Sequence, residues 1–312
     1  MSGQRLGFIG LGNMGGRMTA RLVAAGYPVL GYDPVPGRAA AAGATAAGSV
    51  TEVVDGSDCV LLSLPDSTII ESVVRGPSGI LQAGRPGQVI VDLSTGAPSS
   101  TIALHRELAA RQIDFLDAGI SGGPAAAERG TLTIMVGGPA AALESVAWAL
   151  QPIASKVVHM GEAGTGHTTK VLNNFLNAVS LAATAEVMLA ARKAGLDLAR
   201  VLDVLNASSG VNYATLNRFP HIIRGDYLEG GLTNALMSKD ISLYIACLAE
   251  LGIPALQAAG PAAAFGLAER LGYRDQISNT VVNALGDLAG GLRLHENSFD
   301  DDGSRQDPGQ DR

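Results

Sequence analysis

Short apolar runs alternate with amphipathic segments through the first half of the chain. The runs are continuous, as in strands that are buried on both faces of a sheet, and apolar positions at helical spacing separate them. This alternation predicts an α/β Rossmann-type, doubly wound parallel sheet. The predicted strands cover residues 6–10, 29–33, 59–65, 89–94, 114–119 and 132–138.

The pattern changes near residue 164, where the strand-like runs stop and long apolar helices begin. Helical spacing covers residues 165–194, 197–208, 239–251 and 261–271. An all-α C-terminal domain is therefore predicted to follow the N-terminal sheet domain. We assign residues 1–163 to the dinucleotide-binding domain, 164–296 to the helical domain, and 297–312, which are polar and acidic, to a disordered tail.

Composition narrows the class of protein. The 312 residues are 47% hydrophobic and 16% charged, which is typical of a globular chain, and the net charge of −7 argues against nucleic acid or an anionic membrane as partner. We see no signal peptide and no uninterrupted apolar run long enough to span a bilayer. Cys59 and Cys247 lie apart in apolar segments, as expected of reduced thiols, so a cytoplasmic location is predicted.

A glycine-rich fingerprint joins the first predicted strand to the first predicted helix. It has the form G-x-G-x-x-G, in which the first glycine permits the turn, the second lets the backbone approach a pyrophosphate, and the third lets the helix pack on the sheet. The phosphates would meet the N-terminus of that helix. The fingerprint residues are Gly10, Leu11, Gly12, Asn13, Met14 and Gly15.

The next strand ends in Asp33, about 20 residues after the fingerprint, where a carboxylate can accept hydrogen bonds from a ribose diol. The same carboxylate would repel a 2′-phosphate, so the sequence favours NAD over NADP. Two observations temper this prediction. Asp33 precedes Pro34 and could be an ordinary turn residue, and Arg38 is close enough to reach a phosphate.

Other strand ends supply further candidate residues. Ligands of doubly wound sheets bind outside the carboxyl ends of the strands. Leu64 and Pro65 lie at the carboxyl end of one predicted strand, Thr95 at the end of another, and residues 117–123 at the end of a third. These positions are therefore predicted to border the ligand.

Lys170 is one of only four lysines, and it stands one helical turn before Asn174 in an otherwise apolar helix. Burial lowers the pKa of a lysine, which is how lysines become proton-transfer groups. The alternative is a lysine whose stem crosses the helix surface and whose ammonium reaches water. The residues of this helix alone do not separate the two interpretations.

Four stretches together resemble the β-hydroxyacid dehydrogenase family, which includes 3-hydroxyisobutyrate dehydrogenase and tartronate semialdehyde reductase. They occur in the family's order and spacing across residues 6–290, which makes the resemblance specific. The stretches are FIGLGNMG (8–15), DAGISGG (117–123), GTGHTTKVLNN (164–174) and Lys239-Asp240.

The resemblance implies a role for each matching residue. Lys170 is expected to be the acid/base at the substrate oxygen, and Asn174 to help hold the substrate. The substrate carboxylate is expected at Ser121, Gly122 and Gly123. Thr95 is expected near the nicotinamide ribose, with Lys239 on the nicotinamide side. Lys239 could instead be a helix-start residue beside Asp240. No residue is assigned to a metal.

Two residues or pairs within these stretches, Gly119-Ile120 and His167, need separate comment. The family usually has Pro-Val where this chain has Gly119-Ile120, and we expect the glycine to loosen the carboxylate loop. We assign no role to His167, which we expect to be partly exposed near a helix start.

The family resemblance and the apolar helices together predict a homodimer or homotetramer.

The leading interpretation is an NAD-dependent oxidoreductase acting on a small β-hydroxy acid or its semialdehyde. An NADP-dependent semialdehyde or imine reductase is the enzymatic alternative, and a non-catalytic nucleotide-dependent binding protein is the alternative of another class. Imine reductases and the non-catalytic relatives usually lack the lysine that this chain keeps. Substrate selectivity is expected from residues 208–218, where Asn212, Tyr213 and Arg218 stand, and from Arg129.

Overall fold

The computed structural model describes residues 4–295; the predicted tail at 297–312 lies outside the described residues. Its backbone contacts divide the chain into two compact units. Of the described residues, the first comprises 4–175 together with 240–255, and the second comprises 176–239 and 256–295.

The first unit is built on an eight-stranded sheet with the order β3-β2-β1-β4-β5-β6-β7-β8. Strands β1, β4 and β5 are buried along their whole length, which explains their continuous apolar sequence. The strands are β1 Leu6–Ile9, β2 Val29–Tyr32, β3 Thr45–Ala46, β4 Cys59–Leu62, β5 Val89–Asp92, β6 Asp114–Ser121, β7 Leu132–Gly137 and β8 Ala154–Gly161.

The sheet departs from the predicted all-parallel arrangement at its last two strands. β1 to β6 pair in parallel, but β7 runs antiparallel to β6, with Gly119 opposite Met135, and β8 is parallel to β7. Only ten residues separate β6 from β7, fewer than a parallel crossover needs. β8 was not predicted, because most of its residues are exposed and it carries no apolar run.

Helices cover both faces of the sheet and form two apolar cores, one around Phe8, Met18 and Leu116 and the other around Ile9, Ile90 and Phe115. Side-chain caps at Ser49 and Asp66 begin two of these helices. The helices before residue 160 are α1 Asn13–Ala24, α2 Arg38–Ala41, α3 Val50–Gly56, α4 Ser67–Arg75, α5 Ile80–Ala83, α6 Pro98–Ala109, α7 Gly123–Arg129 and α8 Ala140–Leu150.

The rest of the described chain is helical, as predicted. The helices are α9 Thr165–Lys193, α10 Leu198–Asn206, α11 Tyr213–Asn217, α12 Phe219–Ile222, α13 Asn234–Glu250, α14 Ala259–Ala268 and α15 Val281–Leu288, with 3₁₀ turns at Leu256–Ala258 and Ser278–Thr280 and a π-helical turn at Glu269–Tyr273. Helix α13 begins five residues before Lys239, so the helix-start interpretation of that lysine is wrong.

Helix α9 is also the one described helix long and apolar enough to cross a bilayer. Of its most apolar 18-residue window, 56% is buried inside the protein, as is common for a core helix of a globular fold. Cys59 and Cys247 are both buried free thiols, which agrees with the prediction. Burial raises the pKa of Cys59 to about 12, so this thiol stays protonated and unreactive.

Candidate active site

The glycine fingerprint forms the expected turn between β1 and α1. A Cβ at Gly15 would lie 1.9 Å from the carbonyl oxygen of Gly10, so only glycine allows the helix to pack this close to the strand. Gly12 occupies the N-cap position of helix α1 and has no side chain to cap it. The backbone N–H groups of the first helical turn point outward from the N-terminus of α1, where a pyrophosphate can accept hydrogen bonds from them. The residues of this turn therefore fit a dinucleotide.

Asp33 follows β2 and is tied to the fingerprint. Its carboxylate accepts hydrogen bonds from the backbone N–H of Leu11 at 2.8 Å and of Val35 at 2.9 Å. Arg38 forms an ion pair with the same carboxylate at 3.1 Å; the Asp33 side chain is 5% exposed and the Arg38 side chain 45%. The acceptor predicted for a ribose diol thus stands beside the fingerprint, with a cation next to it.

The loops after β4 and β5 are joined by a hydrogen bond. The backbone N–H of Leu64 donates to Oγ of Ser94 at 2.8 Å, and the N–H of Ser94 donates to Asp92 at 3.0 Å. This bond brings together the segments that contain Pro65 and Thr95, both predicted to border the cofactor. The carboxyl ends of neighbouring parallel strands thus meet at one edge of the sheet.

Lys170 packs directly on strand β6. A Cβ at Gly119 would lie 2.5 Å from Cβ of Lys170 and 3.0 Å from its Cγ, so the absence of a side chain at Gly119 makes room for the lysine stem. Gly119 and Ile120 are strand residues, and Gly119 is buried. The expectation that this glycine loosens a loop is therefore wrong; it permits close packing of α9.

Asp117 anchors the helix that carries Lys170. Its carboxylate is fully buried and accepts from the backbone N–H of Gly164 at 2.8 Å and of His167 at 2.7 Å. A carboxylate at the N-terminus of a helix satisfies donors that have no partner in the helix and is favoured by the helix dipole. Asp117 lies four residues before Ser121 on β6, so one strand positions the lysine helix and leads to the Ser-Gly-Gly segment.

Asn174 is held by a buried acidic residue. Its Nδ2 donates to Oδ2 of Asp240 at 2.5 Å, and both residues are almost fully buried. Phe175 stacks on Tyr244 with ring centroids 3.6 Å apart, which fixes α9 against α13. The order Lys239-Asp240 in the sequence thus places a carboxylate against the asparagine predicted to hold the substrate.

His167 is fully buried, so the expectation of a partly exposed histidine is wrong. Thr101 donates to the carbonyl oxygen of Ala97 at 3.1 Å and so accepts from Nδ1 of His167 at 2.8 Å. The other ring nitrogen lies 3.9 Å from the carboxylate of Asp92. Burial raises the pKa of the Asp92 carboxyl, while the nearby histidine acts in the opposite direction.

The Ser121-Gly122-Gly123 segment lies at the carboxyl end of β6. Gly122 and Gly123 have φ angles of 129° and 69°, which side-chain-bearing residues rarely adopt, and both are exposed. Backbone N–H groups are therefore accessible without a side chain in front of them. Such a segment can receive a carboxylate.

The sequence did not indicate the contacts of three polar residues that the structure places in the site, namely Asp117, His167 and Asp240. Each belongs to a recognised motif, but its partner is at least 47 residues away in the chain. The only signal available was a polar residue within an apolar segment. Lys170 belongs to the first unit and Lys239 to the second.

Two family models match the chain. Residues 5–161 match the NAD binding domain of 6-phosphogluconate dehydrogenase. Residues 164–285 match the model described as NAD-binding of NADP-dependent 3-hydroxyisobutyrate dehydrogenase.

Curated relatives agree with both models. A 2-(hydroxymethyl)glutarate dehydrogenase of Eubacterium barkeri is 36% identical over 80% of this chain and 84% of its own length. An NAD-dependent L-serine dehydrogenase of Pseudomonas aeruginosa is 37% identical over 77% and 84%. The solved structure of Mycobacterium tuberculosis 3-hydroxyisobutyrate dehydrogenase with L-serine has a TM-score of 0.82 and 31% identity, covering 90% of this chain and 99% of that one. The chain therefore belongs to the 3-hydroxyisobutyrate dehydrogenase family of NAD(P)-dependent β-hydroxyacid dehydrogenases.

Proposed function

We propose that the protein oxidises the hydroxyl group of a small β-hydroxy acid to the matching semialdehyde, with NAD as hydride acceptor and Lys170 as acid/base. The observation that carries this proposal is the packing of Lys170 on Gly119, two residues before Ser121 on the same strand. Two strand residues span about 7 Å. A carboxylate at Ser121, Gly122 and Gly123 would therefore lie within one small molecule's length of the lysine.

Nζ of Lys170 would accept the proton of the substrate hydroxyl group while a hydride leaves the carbon atom that bears this hydroxyl group. NAD, when bound, would supply the acceptor for the hydride that leaves this carbon. In the reverse direction the ammonium donates the proton to the forming alcohol and polarises the carbonyl. Two contacts support this role by holding α9 in place. The carboxylate of Asp117 accepts from the backbone N–H of His167 before Lys170, and Asp240 accepts from Asn174 one turn after it.

Asp33 supports NAD as the preferred cofactor. Its side chain is buried and held by two backbone N–H groups, so the negative charge cannot turn away from a 2′-phosphate. Arg38 already pairs with this carboxylate, which reduces its ability to compensate. Initial rates with NAD and NADP at equal concentrations test this preference; faster turnover with NADP would contradict it.

The test of the mechanism is the Lys170→Ala variant. We expect kcat to fall by about 10²- to 10⁴-fold, the contribution typical of one acid/base group, with NAD affinity unchanged. Lys193→Ala, in the last turn of the same helix, is the matched control and should behave as the wild type. Undiminished turnover by Lys170→Ala would refute the assignment. In a non-catalytic binding protein, the substitution would leave nucleotide binding unchanged and there would be no turnover to lose.

The substrate is to be identified with a panel of hydroxy acids assayed by reduction of NAD. It contains 3-hydroxyisobutyrate, glycerate, threonate, 4-hydroxybutyrate and 2-(hydroxymethyl)glutarate, together with L-serine, the substrate in the name of one relative. If the enzyme oxidises none of these acids, the proposed substrate class is wrong.

We also propose that the enzyme acts in the cytoplasm as a homodimer or homotetramer. Large apolar side chains are exposed in the second unit, among them Leu176 at 68%, Leu256 at 78% and Leu288 at 69%. Exposed apolar surface of this kind is commonly covered by another subunit. Light scattering on the purified protein should give the mass of two or four chains; a monomer would contradict this.

A further inference from the structure

The imidazole of His167 is fully buried and packs against a glycine of the segment that joins β5 to α6. We call this segment, residues 92–97, the β5–α6 segment. A Cβ at Gly96 would lie 3.2 Å from Nδ1 of the imidazole and 3.3 Å from its Cε1, so a side chain at this position would press against the ring. His167 belongs to the first turn of α9. Its ring therefore packs α9 directly on the β5–α6 segment.

Both ring nitrogens of His167 face oxygen atoms at the two ends of this segment. Nδ1 donates to Oγ1 of Thr101, in the first turn of α6, at 2.8 Å, because the Thr101 hydroxyl itself donates to the carbonyl oxygen of Ala97. Nε2 lies 3.4 Å from the carbonyl oxygen of Asp92, the last residue of β5. One side chain of α9 thus contacts the end of β5 and the start of α6 together.

The carboxyl group of Asp92 adds a further contact to the ring. Its Oδ2 is buried, no group of the described residues forms a hydrogen bond with it, and Nε2 of His167 lies 3.9 Å away. Burial raises the pKa of this carboxyl, and a proton between Oδ2 and Nε2 would satisfy both atoms. Without the imidazole, a buried polar oxygen would lose the polar group that faces it, which is costly.

The two segments that His167 joins carry different parts of the candidate site. Thr95, in the β5–α6 segment, is expected beside the nicotinamide ribose. Lys170 follows His167 by three residues, within one turn of α9. Hydride and proton leave the same C–OH group of the substrate, so the distance between these two segments affects the rate of the reaction more than the affinity for either ligand.

We propose that His167 is a positioning residue that holds Lys170 at a fixed distance from the β5–α6 segment. The inference rests on the proposed function, in which Lys170 is the acid/base. Asp117 binds the backbone of the same helical turn to β6, whereas the imidazole binds this turn to β5 and α6. The backbone contact with Asp117 therefore does not replace the contacts of the His167 side chain.

The kinetic test uses two variants of His167, assayed with NAD and the acid of the panel that gives the highest kcat/KM. His167→Ala loses both contacts of the ring. We expect its kcat to fall by about 10- to 100-fold, while the KM for the hydroxy acid and the Kd for NAD change by less than about threefold. His167→Asn keeps an amide near the position of Nδ1, where it can still donate to Thr101, and should recover at least about fivefold of the lost kcat.

His105→Ala is the matched control. His105 is a half-buried histidine of α6 whose Nδ1 contacts the carbonyl oxygen of Phe115, so this variant also loses a packed imidazole but no contact with α9. It should keep the kcat of the wild type. A loss of NAD affinity as large as the loss of kcat in His167→Ala would assign His167 a structural role and overturn the inference, as would an unchanged kcat.

A measurement without turnover separates this inference from the proposed function. Hydrogen–deuterium exchange, followed with and without saturating NAD, reports on the backbone amides of residues 164–168 at the start of α9. We expect NAD to slow their exchange by at least about threefold in the wild type but not in His167→Ala, because the ring connects them to the β5–α6 segment. Protection of the fingerprint, residues 10–15, should be the same in both proteins.

The outcomes distinguish the two proposals. If Lys170→Ala keeps its turnover but NAD protects the start of α9 only when His167 is present, the acid/base assignment fails and the connection through His167 stands. Equal protection in the wild type and His167→Ala overturns the connection, whatever the result for Lys170. If His167→Ala does not fold, His167→Asn takes its place and should show less protection than the wild type; full protection in this variant overturns the inference.

Discussion

A single methyl group at Gly119 should disable the enzyme without preventing folding. In Gly119→Ala the new Cβ would stand 2.5 Å from Cβ of Lys170, whereas carbon atoms in contact prefer about 3.5–4.0 Å. Helix and strand must therefore separate by about 1 Å. The lysine cannot relieve the contact by rotating its side chain, because its Cβ is fixed to the helix backbone.

The surrounding structure offers little room for this shift. A Cβ at Gly166, in the first turn of the same helix, would lie 2.2 Å from the carbonyl oxygen of Asp117, so the helix already rests on the strand backbone. Overpacking of this size costs about 1–3 kcal/mol of the free energy of unfolding. A displacement of about 1 Å at a catalytic group costs about 100-fold in rate.

The assay compares kcat, NAD affinity and melting temperature of Gly119→Ala with those of the wild type. We expect kcat to fall by about 100-fold and NAD affinity to stay unchanged, because the fingerprint follows β1, which is separated from β6 by β4 and β5 in the sheet. Gly266→Ala is the matched control, since a Cβ at that helical glycine meets nothing within 4 Å. Wild-type turnover by Gly119→Ala would refute the packing argument.

Three further predictions follow from individual carboxylates. Asp33→Asn should raise the ratio of kcat/KM with NADP to that with NAD by at least about tenfold, because the repulsion of the 2′-phosphate is removed; an unchanged ratio would contradict this. Asp117→Asn should lower the free energy of unfolding, measured in urea, by about 3 kcal/mol, because the amide NH₂ of the new side chain would face a backbone N–H donor. The control is Asp114→Asn on the same strand, which should change the free energy of unfolding by less than about 0.5 kcal/mol. The hydrogen bond and charge of Arg5 lower the pKa of Asp58 to about 2, so this pair should stabilise the fold above about pH 4 and lose its effect as the pH falls toward 2. The contribution should be small because both side chains are exposed, and acid unfolding of Asp58→Asn measures it together with that of the second ion pair of Asp58, with Arg85.

The sequence by itself determined the features that depend on neighbouring residues. The strand-turn-helix of the fingerprint, the buried strands β1, β4 and β5, and the long helix that carries Lys170 follow from local periodicity and glycine placement. These signals are strong because each one involves residues within about 20 positions of each other. They also locate the strand ends at which the ligand is expected.

Only the tertiary structure decided how these segments meet. The antiparallel β7, the edge strand β8 and the burial of His167 depend on contacts between segments that are distant in the chain. The same is true of the two carboxylates that hold helix α9, Asp117 against its first turn and Asp240 against Asn174. A polar residue in a sequence has the same appearance whether water or a buried partner satisfies it, because that choice is made by long-range packing. Gly119 shows the point most clearly, since a residue that suggests a loose loop in the sequence is the contact that seats Lys170.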